Sequence, residues 1–166
     1  MTVGKIFAAG RPALIGYLPA GFPTVEGGIE AITAVVDAGV DAVEVGFPYS
    51  DPVIDGPVIQ RATEAALAAG VRPADVLRTV ERVAALGVPA VVMTYWNPME
   101  RYGVARFARD LAAAGGAGLI TPDLIPDEAG EWIAASDEHG LDRIFLVSPS
   151  STEARVRSTT AACRPS

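Results

Sequence analysis

Three acids punctuate the stretch VEVGFPYSDPVIDGP, residues 43–57: Glu44, Asp51 and Asp55. Glu44 lies inside an apolar run, where an ionised carboxylate is costly to bury and its pKa is pushed upward. A carboxyl group held in that way can give and take a proton near neutral pH. The competing arrangement is a glutamate paired with a buried cation, but the neighbouring run supplies none. Strand side chains alternate, so Ala42, Glu44 and Gly46 share one face while Val43, Val45 and Phe47 share the other. The small residues flanking Glu44 leave room for a ligand. Asp51 precedes a proline and Asp55 a glycine, and such pairs are ordinary turn formers whose carboxylates bond their own backbone. A loop that also holds an acid opposite Glu44 gives two carboxylates in unlike environments, one protonated and one ionised. That division of labour suits proton transfer at neutral pH.

Other side chains carry weaker signals. Tyr17, Tyr95 and Trp96 fit either an apolar pocket for an aromatic substrate or ordinary core. His139, the single histidine, precedes Gly140 and suits a helix C-terminus, where the dipole favours a cation. With one histidine and one cysteine, Cys163, nucleophile–histidine catalysis and a zinc site are both disfavoured, and no metal is assigned. Arg101, Arg106 and Arg109 fit a solvated helix face.

The elements that must position the acids follow from periodicity. Nearly continuous apolar runs at 13–18, 41–47, 89–95, 117–121 and 143–148 read as strands buried on both faces of a parallel sheet. Between them the period is helical: Ile29, Ile32 and Val36 share a face, as do Val76, Val80 and Val83, and Val104, Phe107 and Leu111. Gly39, Gly70, Gly87, Gly115 and Gly140 mark helix ends. A short extra helix is expected over roughly residues 58–69, between the proline-rich loop and the next amphipathic helix. Strand–helix alternation implies an α/β fold with parallel strands and right-handed crossovers. Periodicity leaves two architectures open, a doubly wound sheet and a partial (β/α)₈ barrel. Either way, ligands meet the carboxyl ends of the strands. Those ends bring Tyr17, Gly21, Glu44 with its loop, Tyr95, Asn97, Asp123 and residues 148–151 into consideration.

Composition sets outer limits. The chain has 166 residues, half of them hydrophobic, which suffices for one domain with a core. A net charge of −7 argues against a nucleic-acid track or an anionic membrane surface. It leaves open a small phosphorylated substrate held by backbone N–H groups. The longest uncharged run, residues 83–99, contains Pro89, Asn97 and Pro98 and does not read as a membrane span. A soluble cytoplasmic protein is expected.

The stretch VEVGFPYSDPVIDGPVIQRA resembles the signature of the tryptophan synthase α subunit family. YLPAGFP, MTYWNPMERYG and LITPDLIPDEA are similar to further family segments, in the same order, and the likeness runs from about Ala13 to about Ala162. The resemblance implies a (β/α)₈ barrel that cleaves indole-3-glycerol phosphate to indole and glyceraldehyde 3-phosphate by a retro-aldol reaction with no cofactor. It implies Glu44 as the acid/base that protonates the indole ring and helps deprotonate the glycerol hydroxyl. Asp55 would be the second catalytic carboxylate, holding the indole N–H, with Tyr95 beside it. Tyr17, Met93, Ile120 and Leu146 would form the indole pocket. Pro48, Asp51, Asn97 and Asp123 would meet the β subunit, to which any pyridoxal phosphate chemistry would belong.

The likeness ends with the fifth strand–helix unit, so an incomplete barrel of about five units is expected, a single partial domain over residues 1–166. The family's phosphate-binding loops and the mobile loop after the sixth strand have no counterpart in the likeness. Weak or no independent activity, bare sheet edges and little N-terminal chain to close the barrel bottom are the corresponding expectations. The alternative function is a non-catalytic remnant able at most to contact a β subunit.

Overall fold

Side-chain type and spacing turn the expected periodicities into elements in the computed structural model, which describes residues 2–8 and 10–164. In chain order these are α1 (Gly4–Phe7), β1 (Ile15–Pro19), α2 (Val25–Asp37), β2 (Ala42–Gly46), α3 (Pro57–Ala68), α4 (Pro73–Ala85) and β3 (Ala90–Met93). They continue with α5 (Trp96–Tyr102), α6 (Val104–Ala113), β4 (Gly118–Thr121), α7 (Gly130–His139), β5 (Asp142–Phe145) and α8 (Glu153–Ala162). The helix starts carry local signals. Thr24 Oγ1 accepts the Gly27 N–H ahead of α2, and Pro57 and Pro73 open α3 and α4 with a preset φ. The Asp75 carboxylate accepts the Arg72 N–H at 2.8 Å, tying the first turn of α4 to the residue before it. The five glycines read as helix ends all adopt positive φ, and His139 falls in the last turn of α7 before Gly140 at φ 66°.

Strand order settles the architecture. All five strands are parallel and lie in the order β1-β2-β3-β4-β5. A doubly wound sheet reverses direction at a switch point, whereas a barrel adds each strand beside the last. Here no reversal occurs, so the helices form a layer on one side, α2 against α4, α4 against α6, and α6 against α7.

The alternation of β2 extends through the sheet. Val43, Val45, Val92, Leu119 and Phe145 face the helices and seal against Ile32, Val80, Val83, Phe107, Leu111 and Trp132. Register aligns the opposite, concave face in rows: Tyr17, Glu44, Val91, Gly118 and Asp142 in one, Pro19, Gly46, Met93, Ile120 and Ile144 in the next.

Two expectations about the ends of the sheet need correction. The N-terminal residues do reach the barrel bottom: Val3 and Ile6 pack on Val91, Ala117, Ile120 and Ile144, and the Val3 N–H donates to Asp142 Oδ2 at 2.8 Å. A buried aspartate from the far strand thus anchors the start of this single helical turn. The edge of β5 is not wholly bare either, since the Arg164 backbone pairs antiparallel with Arg143 at 3.1 and 3.3 Å. The Arg143 guanidinium, on the helix-facing side of β5, bonds Ser136 Oγ, Asp137 Oδ1 and the Ala162 carbonyl, clasping α7 to α8.

Strand ends also differ from the sequence reading. β3 stops at Met93 rather than Tyr95, because Trp96 opens α5 and its N–H is taken by the Asp123 carboxylate at 2.9 and 3.1 Å. β5 stops at Phe145, and Leu146 and Val147 beyond it are exposed. No helix among the described residues is long and apolar enough to cross a membrane.

Candidate active site

Glu44 occupies the middle of β2 on the concave face, paired in register with Tyr17 on one side and Val91 on the other. It borders a cavity of about 350 Å³ on the side of the N-terminal turn, lined also by Val3, Phe7, Ile15, Val91, Ile120 and Ile144; Tyr17, Asp55, Met93 and Leu146 do not line it. Burial among these groups raises the pKa of its carboxyl, with no opposing charge to lower it. Arg143 contributes to the lining of the same cavity, yet its guanidinium is committed to Asp137 and the helix layer. The buried-ion-pair explanation of Glu44 therefore fails among the described residues.

Glycine at position 46 has a physical reason. A Cβ there would collide with the Tyr17 hydroxyl and ring carbon, so only glycine lets the phenol lie across the end of β2. Tyr17 is held half-buried, and its phenol pKa is raised first by that burial and then by the charges of Asp55 and Glu44. The same phenol thus lies within electrostatic reach of both carboxylates.

Asp55 lies in the loop between β2 and α3. Partial burial raises its carboxyl pKa too. Tyr95, just past β3 and 5% exposed, accepts the Ile54 N–H on its hydroxyl at 2.9 Å and so holds the loop one residue before Asp55. Burial raises the Tyr95 pKa as the leading influence. Tyr49 packs on it with ring centroids 5.2 Å apart. Two acids in different settings, one on a rigid strand and one on a tethered loop, can share a proton transfer across a ligand between them.

The remaining expected pocket residues divide. Met93 and Ile120 are register partners on the concave face, next to Ile144. Leu146 stands just past β5, outside the register, and is 51% exposed. Of the expected partner-facing residues, Pro48, Asp51 and Asn97 line one open groove of about 600 Å³ with Tyr49, Pro98 and Arg101. Asp123 does not line it; its carboxylate is occupied at the start of α5. Arg106 lies over the Tyr102 ring at 4.8 Å and Arg109 pairs with Asp110, as a helix surface allows, while Arg101 turns to the groove.

Sequence reasoning missed Ile15, Val91 and Ile144 on the concave face, although alternation from Glu44 and knowledge of register would have found them. It also missed Asp142, which is fully buried. The signal was present, an acid leading an apolar strand, the same kind that drew attention to Glu44. Among the described residues no group of three or more His, Cys, Asp or Glu side chains is arranged to hold a metal ion.

Comparison with known proteins bears on this geometry. The family model described as tryptophan synthase alpha chain matches residues 4–164. The tryptophan synthase alpha chain of Salinispora arenicola is 70% identical over 160 residues, covering 96% of this chain and 60% of that relative. That of Mycobacterium avium is 64% identical over 166 residues, covering 98% of this chain and 61% of that relative. A crystal structure of tryptophan synthase from M. tuberculosis superposes with a TM-score of 0.93 at 63% identity, covering 96% of this chain and 64% of that chain. A mutant tryptophan synthase alpha-subunit from Pyrococcus furiosus superposes with a TM-score of 0.85 at 31% identity, covering 92% and 62%. The chain spans about 60% of the length of the curated relatives it matches.

Proposed function

Since the chain belongs to the tryptophan synthase alpha chain family, we propose that it carries the paired carboxylates of a carbon–carbon lyase acting on indole-3-glycerol phosphate. In this reading Glu44, whose protonated form is favoured by burial, delivers a proton to C3 of the indole ring. Positive charge then develops on the ring nitrogen, and Asp55, accepting the indole N–H, stabilises it. Glu44, now ionised, takes the proton of the glycerol hydroxyl. The carbon–carbon bond breaks, its electron pair returns to the ring, and indole and glyceraldehyde 3-phosphate separate. The sequence balances on side-chain proton transfers alone. Tyr17, Met93, Ile120 and Leu146 supply apolar surface for the indole.

The observation that carries the reading is a half-buried glutamate on the concave face with no ion-pair partner among the described residues, next to β3, past whose end Tyr95 tethers the loop that carries Asp55. The groove at Pro48, Asp51 and Asn97 opens beside the Asp55 loop, and we assign it to contact with a β subunit, Asp123 serving it indirectly by fixing α5. Such an enzyme would work in the cytoplasm.

A second reading, a non-catalytic chain that at most contacts a β subunit, draws on the exposure of the concave face, where Ile15 is 43% and Leu146 51% exposed. An indole ring there would be covered from one side. Indole release from indole-3-glycerol phosphate by the purified chain decides between them. Under the lyase reading Glu44→Gln lowers the rate by roughly 10²–10⁴-fold. An equal rate in the variant, or no release by the folded parent chain, sinks it.

A further inference from the structure

Asp55 sits in a loop with little apolar anchorage: Val53 is 82% and Ile54 56% exposed. Its shape must therefore come from polar tethers, and these arrive from two sides. Tyr95 takes the Ile54 N–H, as described. From the first turns of α3, the Gln60 amide Nε2 donates to two carbonyls, Pro52 O at 3.2 Å and Asp55 O at 2.9 Å. The Asp55 N–H also donates to Pro52 O, at 3.2 Å. Gln60 thus holds the first and last carbonyls of the turn that delivers the aspartate. Its own backbone is fixed in α3, where its N–H donates to Gly56 O at 3.0 Å.

The chemistry of the tether is specific. Both acceptors are carbonyl oxygens, so the bridging group must offer two N–H donors from one atom, which a glutamine amide does. A glutamate of nearly the same shape would aim acceptors at acceptors. We propose that Gln60 is a positioning residue for Asp55, holding the turn so that the carboxylate faces the concave surface bearing Glu44. The catalytic part of this proposal rests on the lyase reading above; the tether does not. Holding matters because displacement of a reacting group by about 1 Å can cost on the order of 10²-fold in rate.

The test uses the purified chain and its Gln60→Glu and Gln60→Met variants, with amide hydrogen exchange at Ile54 and Asp55 as the first readout. Exchange at both amides should rise by roughly tenfold, the equivalent of one lost hydrogen bond, while Val45 and Val92 in the sheet stay unchanged. The second readout is indole release: kcat should fall roughly 10- to 100-fold with KM changed by less than about twofold. If Gln60→Glu does not fold, Gln60→Met removes the donors without adding charge and reads the same quantities. Unaltered exchange at Asp55 overturns the proposal, and so does faster exchange with kcat intact. Faster exchange in a chain whose parent releases no indole upholds the tether and places the failure on the lyase reading.

Discussion

Glu44 and Val45 are adjacent residues in two different environments. The outer face of the sheet, to which Val45 belongs, is sealed by helices, with Val45, Val92 and Leu119 at most 1% exposed. The concave face keeps a carboxylate, a phenol and a half-open apolar cavity. Alternation puts both faces on every strand, so stability and chemistry are one residue apart throughout. The outer face can be dry because nothing there needs solvent or substrate. In the lyase reading the concave face holds a group whose proton must move, and there close packing around that group is given up.

The largest effect comes from moving the charge by one position. Val45→Glu would bury an ionisable group in the sealed layer with no partner, at a cost of several kcal/mol. Against a typical total stability of roughly 5–15 kcal/mol, that should abolish or nearly abolish cooperative folding. Urea unfolding followed by circular dichroism measures it. If Val45→Glu unfolds with the parent's midpoint, the two faces are not distinct and the comparison breaks.

A smaller effect sharpens the comparison on β4. Leu119 faces the helices and Ile120, the next residue, faces the concave side. Leu119→Ala should cost about 2–5 kcal/mol, because the closed layer leaves a cavity behind. Ile120→Ala, already partly exposed, should lose no more than about half as much. Paired urea titrations read both. Equal losses would mean that the concave face is packed as tightly as the outer one.

How much of this was legible beforehand depends on the range of the interaction. Helix ends are readable because a positive-φ glycine is a local requirement, and α3 is expected over roughly residues 58–69, one residue later than its start at Pro57. Glu44 stood out since a charge inside an apolar run is visible without any fold. Strand order was not readable from periodicity, because neighbouring in a sheet leaves no mark on the period of either strand. The Val3–Asp142 bond spans 139 residues and joins elements that look unrelated along the chain. Gln60 escaped notice for another reason: its partners are backbone carbonyls, which carry no side-chain signature. The candidate acids thus stand out in the sequence, while the parts that hold them show only in the fold.

The smallest effect concerns pH and isolates what burial does to Glu44. Its carboxyl pKa is raised on folding, so the unfolded chain releases this proton at lower pH than the folded one. Below the unfolded pKa the group is neutral in both states and costs nothing. As pH rises, the unfolded state ionises first and is favoured, so stability falls until the folded group has ionised as well. Glu44→Gln removes that loss. The variant should match the parent near pH 4, in the lower carboxylate range, and unfold at a higher temperature than the parent at pH 7. Thermal melts at the two pH values give the difference. A variant less stable than the parent at pH 7 would mean that the glutamate has a favourable partner in the folded state, and the concave face would then be a structural ion-pair site rather than a place where a proton is kept ready.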